Sequence, residues 1–295
     1  MRIYSPLRYP GGKSILANFL ADIIDLNDLR GCAYYEPFAG GAGAALNLLI
    51  NGIVNELFIN DADVRIFAFW NAALNQSERF IEQINSVPLT IEEWRRQRII
   101  CDNPKSHVGF EVGFAAFYMN RCNRSGVLLG AGPIGGQSQD GPWRMDVRFH
   151  RENLISRILQ LKKLKENVHI SCSDAVDFLK YSLPRGQKRK QVFVYLDPPY
   201  VNKGQRLYMN AYEAKDHKAL ADYMIPQRTL HWVMSYDESD LVVKLYNKCR
   251  SSILPIRYSL QMKRTANELI IAPNHIAMPA VFRLGHNESL LRKVA

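Results

Sequence analysis

One nonapeptide restricts the architecture of this chain more than any other segment: Val192-Phe193-Val194-Tyr195-Leu196-Asp197-Pro198-Pro199-Tyr200. Five consecutive apolar or aromatic residues read as a strand buried on both faces, the habit of parallel strands in α/β sheets. The prolines end it, because proline offers no N–H to a ladder and holds the residue before it extended. Asp197, Pro198, Pro199 and Tyr200 therefore arrive at the carboxyl end of a buried strand, where open α/β sheets hold their ligands. The plainer alternative is a strand that stops at a rigid turn, with Asp197 as a local cap.

Those four residues suit one kind of chemistry. The lone pair of an aromatic amine is delocalised into its ring and attacks poorly. Acceptors set against its two hydrogens pull density back to nitrogen and favour a pyramidal, reactive geometry. Asp197 offers one acceptor and the Pro198 carbonyl a second, which the consecutive prolines keep extended and free of a competing N–H. Tyr200 offers a face on which a planar base can stack.

Upstream, apolar residues from Ile15 to Ile24 recur at helical spacing, and a β-rich run Ala33–Phe38 leads into the turn Ala39-Gly40-Gly41-Ala42-Gly43. An apolar helix follows through Leu49, then a strand Leu57-Phe58-Ile59 that ends at Asn60-Asp61, then a helix to Leu74. Strand, small-residue turn, helix, strand and acid describe the first half of a nucleotide-binding α/β fold. Small residues let backbone approach a nucleoside, and Asp61 suits ribose hydroxyls. The dinucleotide pattern G-x-G-x-x-G fails, since Leu46 stands where its last glycine belongs. Arg8-Tyr9-Pro10-Gly11-Gly12-Lys13-Ser14 resembles the tail of a phosphate-binding loop, but Leu7 occupies the first glycine position and no strand precedes it.

The sheet rhythm then breaks. Residues 75–149 read as helices (Ile91–Ile100, Phe110–Met119) followed by a glycine-rich stretch from Gly126 to Gly141. Strands return at Val168–Ser171, Val192–Leu196, His231–Ser235, Ile253–Tyr258 and Glu268–Ala272. The expected organisation is one α/β domain from 1–74 and 150–295, with 75–149 inserted. At the mouth of the insert, Asn120, Arg121 and Arg124 are side chains that read base edges or clamp phosphates, as are Arg144 and Arg148 at its end. Asp174, after a strand, suits either an adenine amine or a helix N-cap.

The balance of 38 Lys and Arg against 28 Asp and Glu leaves a formal charge of +10, which favours a polyanionic partner. The five cysteines form no C-x-x-C pair, so neither a zinc site nor a disulfide framework is expected, and no metal is assigned. The N-terminus lacks a signal peptide and no run reaches membrane-spanning length, so a cytoplasmic protein is expected.

Together the matches Arg8–Lys13, Glu36-Pro37-Phe38-Ala39-Gly40, Asn60-Asp61, Asn120-Arg121 and Asp197–Tyr200 resemble the Dam-type, DPPY-motif family of site-specific DNA adenine methyltransferases, in the family's order. Asn267-Glu268-Leu269-Ile270 resembles its last strand, so nearly the whole chain is covered. The resemblance implies a class I S-adenosylmethionine-dependent methyltransferase fold, Rossmann-like, with a mostly parallel seven-stranded sheet and one antiparallel strand. The insert becomes a mainly helical target-recognition region. S-adenosylmethionine would be bordered by Tyr9, Lys13, Glu36, Phe38, Gly40, Asp61, Asp174 and Asp197. Asp197, Pro198, Pro199 and Tyr200 would hold an adenine flipped out of double-stranded DNA.

Nothing in the sequence indicates a dimer seam, so a monomer with no obligate protein partner is expected, and pairing with a restriction endonuclease is left open. Two departures stand out: Gly40-Gly41-Ala42 where the family's turn usually reads G-x-G, and an insert unlike that of GATC-specific members. The rivals are RNA adenine, cytosine N4 or a protein glutamine as the target, a DNA-binding relative without catalysis, and a nicotinamide oxidoreductase. Asp197 argues against cytosine, where relatives commonly carry Ser, and against glutamine, where they carry Asn.

Overall fold

The computed structural model describes residues 4–8, 16–201, 212–258, 264–284, 287–290 and 292–293. The main sheet contains β1 (Cys32–Glu36), β2 (Val54–Asn60), β3 (Val168–Ser171), β4 (Val192–Leu196), β5 (His231–Tyr236), β6 (Arg250–Tyr258) and β7 (Arg264–Ala272). Its order is β10-β6-β7-β5-β4-β1-β2-β3, with the two-residue β10 (Arg292–Lys293) at one edge. Strands β3, β2, β1, β4 and β5 run parallel, and β7 runs against both β5 and β6. This is the expected mostly parallel seven-stranded sheet with its one antiparallel strand, extended by β10. A separate antiparallel pair, β8 (Val281–Leu284) and β9 (Asn287–Leu290), completes the strands of the described residues.

All five residues of β4 are buried, and it lies between β1 and β5. From β1 the chain steps outward through β2 to β3, then returns past β1 to build β4 and β5 on the other side. The crevice where the order reverses opens at the carboxyl ends of β1 and β4, the place such sheets keep for ligands. Helices cover both faces. One apolar cluster joins α1 (Ala17–Leu26), α2 (Gly43–Ile50) and α3 (Val64–Asn75) to the sheet. A second joins α8 (Ala175–Ser182) and the helices Ala214–Met224 and Asp240–Leu245 to the other face.

Residues 75–149 form α4 (Ser77–Ser86), α5 (Ile91–Asp102) and α6 (Gly109–Cys122), then irregular chain leading to α7 (Arg151–Lys163). They have no core of their own. Phe80, Trp94, Phe114, Phe117 and Phe149 share one continuous cluster with Phe69 and Trp70 of α3 and with Leu154 of α7. Gly113 explains how closely α6 lies on α3: a Cβ there would stand 2.3 Å from the Ala68 carbonyl oxygen. Each buried phenylalanine contributes roughly 1.5–3 kcal/mol before entropy is counted, so the insert is bound to the sheet layer rather than tethered to it. Among the described residues no helix is long and apolar enough to cross a membrane.

Candidate active site

Beyond Leu196 the chain turns out of β4, and neighbouring strands grip the four motif residues. Ser235, fully buried on β5, donates its hydroxyl to Asp197 Oδ1 at 2.8 Å. Tyr195 Oη lies 2.8 Å from the same hydroxyl oxygen, so it must be the donor in a relay from Tyr195 through Ser235 to Asp197. Asp237 Oδ1 accepts the Val201 N–H at 3.0 Å. From β7, Glu268 Oε1 accepts the Tyr200 hydroxyl at 2.6 Å. Asp197, Pro199 and Tyr200 remain half-buried at the crevice, whereas Pro198 is buried.

The end of β1 supplies a second group of acids. Glu36 is 4% exposed, and its Oε2 has no hydrogen-bond partner among the described residues. Burial drives its carboxyl pKa far above the ordinary range; the nearby Tyr34 hydroxyl opposes this, while Asp197 and Asp61 push it further up. Asp61 accepts the Gly40 N–H at 2.9 Å through Oδ2 and the Asp63 N–H at 2.9 Å through Oδ1. Burial raises its pKa to about 6 despite those two donors. Asn60, fully buried at the end of β2, ties three strand ends together. It donates to the Pro37 and Ser173 carbonyls and accepts from the Ser171 hydroxyl and the Ser173 N–H, all within 3.0 Å.

The Gly40 carbonyl accepts from the Trp70 indole at 2.9 Å, which fixes the turn against α3. Ala42, where the sequence departs from a glycine pattern, has φ +45° and is buried. The position therefore asks for left-handed backbone as well as a small side chain, and alanine holds it at a cost of about 1 kcal/mol. Phe38 is half-buried and meets Tyr212 edge-on at 5.5 Å. Asp174 caps α8, accepting the Val176 and Asp177 N–H groups through Oδ1; burial raises the pKa of half-buried Tyr212, and the charge of Asp174 raises it further. Both roles weighed for Asp174 thus stay open, with the cap present. Tyr9 and Lys13 lie outside the described residues.

A donor set of this kind fits a cationic ligand. Glu36 has no ion pair among the described residues, and its neighbours in the crevice are themselves acids. S-adenosylmethionine carries a sulfonium and an ammonium, and its ribose offers hydroxyl donors.

Of the residues expected to contact DNA, Asn120 and Arg121 are buried, at 0% and 6% exposed, so neither belongs to a solvated face. Asn120 bonds the Arg8 backbone twice, accepting its N–H and donating to its carbonyl, both at 2.6 Å. Arg121 donates to the Pro6 carbonyl. Their side chains face the segment leading into the glycine-rich turn, which an Asn-Arg pair at a helix end does not reveal. Arg124, Arg144 and Arg148 are exposed. Arg121 lies close to Arg157, Arg8 and Arg148, and burial together with those three cations lowers its pKa to about 9. Arg121 Nε and Arg8 Nη1 are buried without hydrogen-bond partners among the described residues. Arg157 donates to the Ser5 carbonyl at 2.8 Å.

Sequence reasoning missed Ser235, Asn60 and the Tyr200 partner Glu268. For Ser235 the available signal was a polar residue inside an otherwise apolar buried strand.

The fold and the acid-lined switch point define a Rossmann-like methyltransferase. The chain belongs to the D12 class N6 adenine-specific DNA methyltransferase family, whose model matches residues 9–262. It is accordingly a DNA adenine methyltransferase that uses S-adenosylmethionine. Among solved structures it is similar to a methyltransferase subunit of a type I restriction-modification system from Streptococcus thermophilus (10% identity, 92% of this chain and 46% of that one, TM-score 0.40). It is also similar to a putative RNA methyltransferase from Pyrococcus horikoshii (10% identity, 90% and 84%, TM-score 0.39). A third is a conserved hypothetical protein from Streptococcus pyogenes (9% identity, 84% and 89%, TM-score 0.34). At these TM-scores the likenesses carry no weight for the site. No curated protein matches the chain.

Proposed function

We propose that the chain methylates the N6 amine of an adenine flipped out of double-stranded DNA at one short recognition sequence. The observation that carries this is the tetrapeptide Asp197–Tyr200, half-buried at the switch point and gripped from β5 and β7, beside the acids at the end of β1. S-adenosylmethionine, when bound, supplies an electrophilic methyl group. Glu36 and Asp61 are proposed to face its cations and ribose, with Phe38, Gly40 and Asp174 bordering it. Asp197 and the Pro198 carbonyl hold the two amine hydrogens, and Tyr200 stacks on the base.

Extruding a base costs roughly a few kcal/mol, which contacts to the duplex must offset. We assign those contacts to residues 75–149 and to the arginines beside them: exposed Arg124, Arg144 and Arg148, with Arg8, Arg121 and Arg157 beneath. No carboxylate pairs with these arginines among the described residues, and phosphates release counterions on meeting such a cluster. A monomer acting in the cytoplasm is part of this reading, as is the option of a restriction endonuclease sharing its sequence.

The test is methyl transfer from labelled S-adenosylmethionine to unmethylated plasmid DNA, followed by single-molecule sequencing. Methyladenine confined to one short motif is expected. Cofactor binding without transfer to DNA, or transfer to RNA instead, would overturn the reading.

A further inference from the structure

Tyr200 has an attachment that a stacking platform does not require. A flat ring is enough to support a base, and phenylalanine would supply one. Here the Tyr200 hydroxyl donates to Glu268 Oε1 at 2.6 Å, across 68 residues of sequence. Glu268 is 2% exposed, on β7, which runs antiparallel to both β5 and β6. The residues that follow it, Leu269, Ile270, Ile271 and Ala272, are all buried and apolar. A carboxyl group in such a strand is costly unless hydrogen bonds hold it.

The bond also separates two supports. Asp197 and the Val201 N–H are tied to Ser235 and Asp237, at and just beyond the end of β5. The Tyr200 ring is tied to β7 instead. A short hydrogen bond to a carboxyl oxygen fixes the direction of the ring and hence the plane it offers. It also drives electron density into the ring, and a more negative face favours the positive charge an amine acquires as it takes a methyl group.

We propose that Glu268 is a positioning residue for methyl transfer, acting through the Tyr200 hydroxyl to set the plane and polarity of the ring. The proposal rests on the reading that Tyr200 stacks on the target adenine.

The experiment measures single-turnover methyl transfer and cofactor affinity for Tyr200→Phe, Glu268→Ala, their combination, Glu268→Gln and Tyr200→Ala. Tyr200→Phe removes the same bond from its half-buried end, so the test survives if Glu268→Ala fails to fold. Tyr200→Phe and Glu268→Ala are each expected to slow transfer about tenfold, and the double variant no further, because both delete one interaction. Glu268→Gln keeps an acceptor, so it should recover part of the rate. Cofactor affinity should stay within about twofold of wild type. Losses that multiply in the double variant, or full speed in Tyr200→Phe alongside a slow Tyr200→Ala, overturn the Glu268 proposal and leave stacking intact. Full speed in Tyr200→Ala overturns the stacking reading itself.

Discussion

The crevice at the ends of β1 and β4 and the arginine cluster beside α6 are built alike with opposite signs. In the crevice, Glu36 is buried near Asp61 and Asp197 and has no cation among the described residues. In the cluster, Arg121 is buried near Arg8, Arg148 and Arg157 and has no anion among the described residues. Each holds a buried polar atom without a hydrogen-bond partner among the described residues, Glu36 Oε2 in one and Arg121 Nε in the other. Like charges gathered under low exposure cost stability in the free protein. Such an arrangement is understandable where a ligand of opposite sign completes it. This charge pattern supports the proposed placement of the two ligands: a small cation-bearing cofactor in the crevice and a polyanion on the cluster.

The largest effect should come from the residue at which the crevice meets the substrate. Asp197→Ala is expected to slow methyl transfer about a thousandfold while cofactor affinity changes little. Full activity would remove Asp197 from the chemistry. Glu36→Gln comes next, and it tests the crevice as a cation site. Burial pushes the Glu36 carboxyl pKa far up and so favours its neutral form in the free protein. Glutamine mimics that state, so melting temperature should barely move. It cannot ionise to meet a cation, so cofactor affinity should fall by about ten- to a hundredfold. Unchanged affinity would break the comparison on its acidic side.

The basic side calls for a pair of variants. Arg121→Met replaces a buried cation with an apolar side chain of similar length. It is expected to weaken DNA binding by about tenfold and to lower the salt slope by about one. It should also raise the melting temperature by about 2–4 °C, since removing an unpaired buried charge often stabilises. Arg124→Ala, at an exposed position, should weaken DNA binding without that rise. If Arg121→Met instead melts earlier and leaves the salt slope unchanged, Arg121 is only a strut for the Pro6 carbonyl.

The acidic region was far more legible in the sequence than the basic one. Asp197, Glu36 and Asp61 end or directly follow strands whose apolar runs announce themselves, at the edge where such sheets hold ligands. The seven strands of the sheet were readable for the same reason. Asn120 and Arg121 close a helix, and nothing in helical periodicity says which of its polar residues faces another segment. Their true neighbours, residues 5–8, are more than a hundred positions away. Distance in sequence also hid the grip on Tyr200, since Glu268 reads as one polar residue in an apolar strand. The insert looked like a separate module because its rhythm changes; packing through Phe80, Phe114 and Phe117 binds it to the sheet layer.

The smallest effect is the one that separates a cation site from a merely acidic surface. In the free protein, Glu36 and Asp61 have pKa values above their ordinary values of 4.5 and 3.8. The unfolded chain therefore gives up those protons first, and the free protein loses stability as pH rises through that range. A bound cation reverses the preference, because it favours the ionised acids. Binding must then release protons, and affinity must increase with pH by one logarithmic unit per proton released. Glu36, whose carboxyl pKa burial pushes far up, should give up its proton when it meets the cation. Near pH 6 Asp61 is half protonated and should add up to about half a proton. Titration calorimetry in buffers of different ionisation heat counts these protons directly. Glu36→Gln should remove the Glu36 contribution, and Asp61→Asn only the increment near pH 6. A cofactor affinity independent of pH would mean that the acids stay protonated beneath the ligand. The symmetry between the two charged regions would then be one of composition rather than of function.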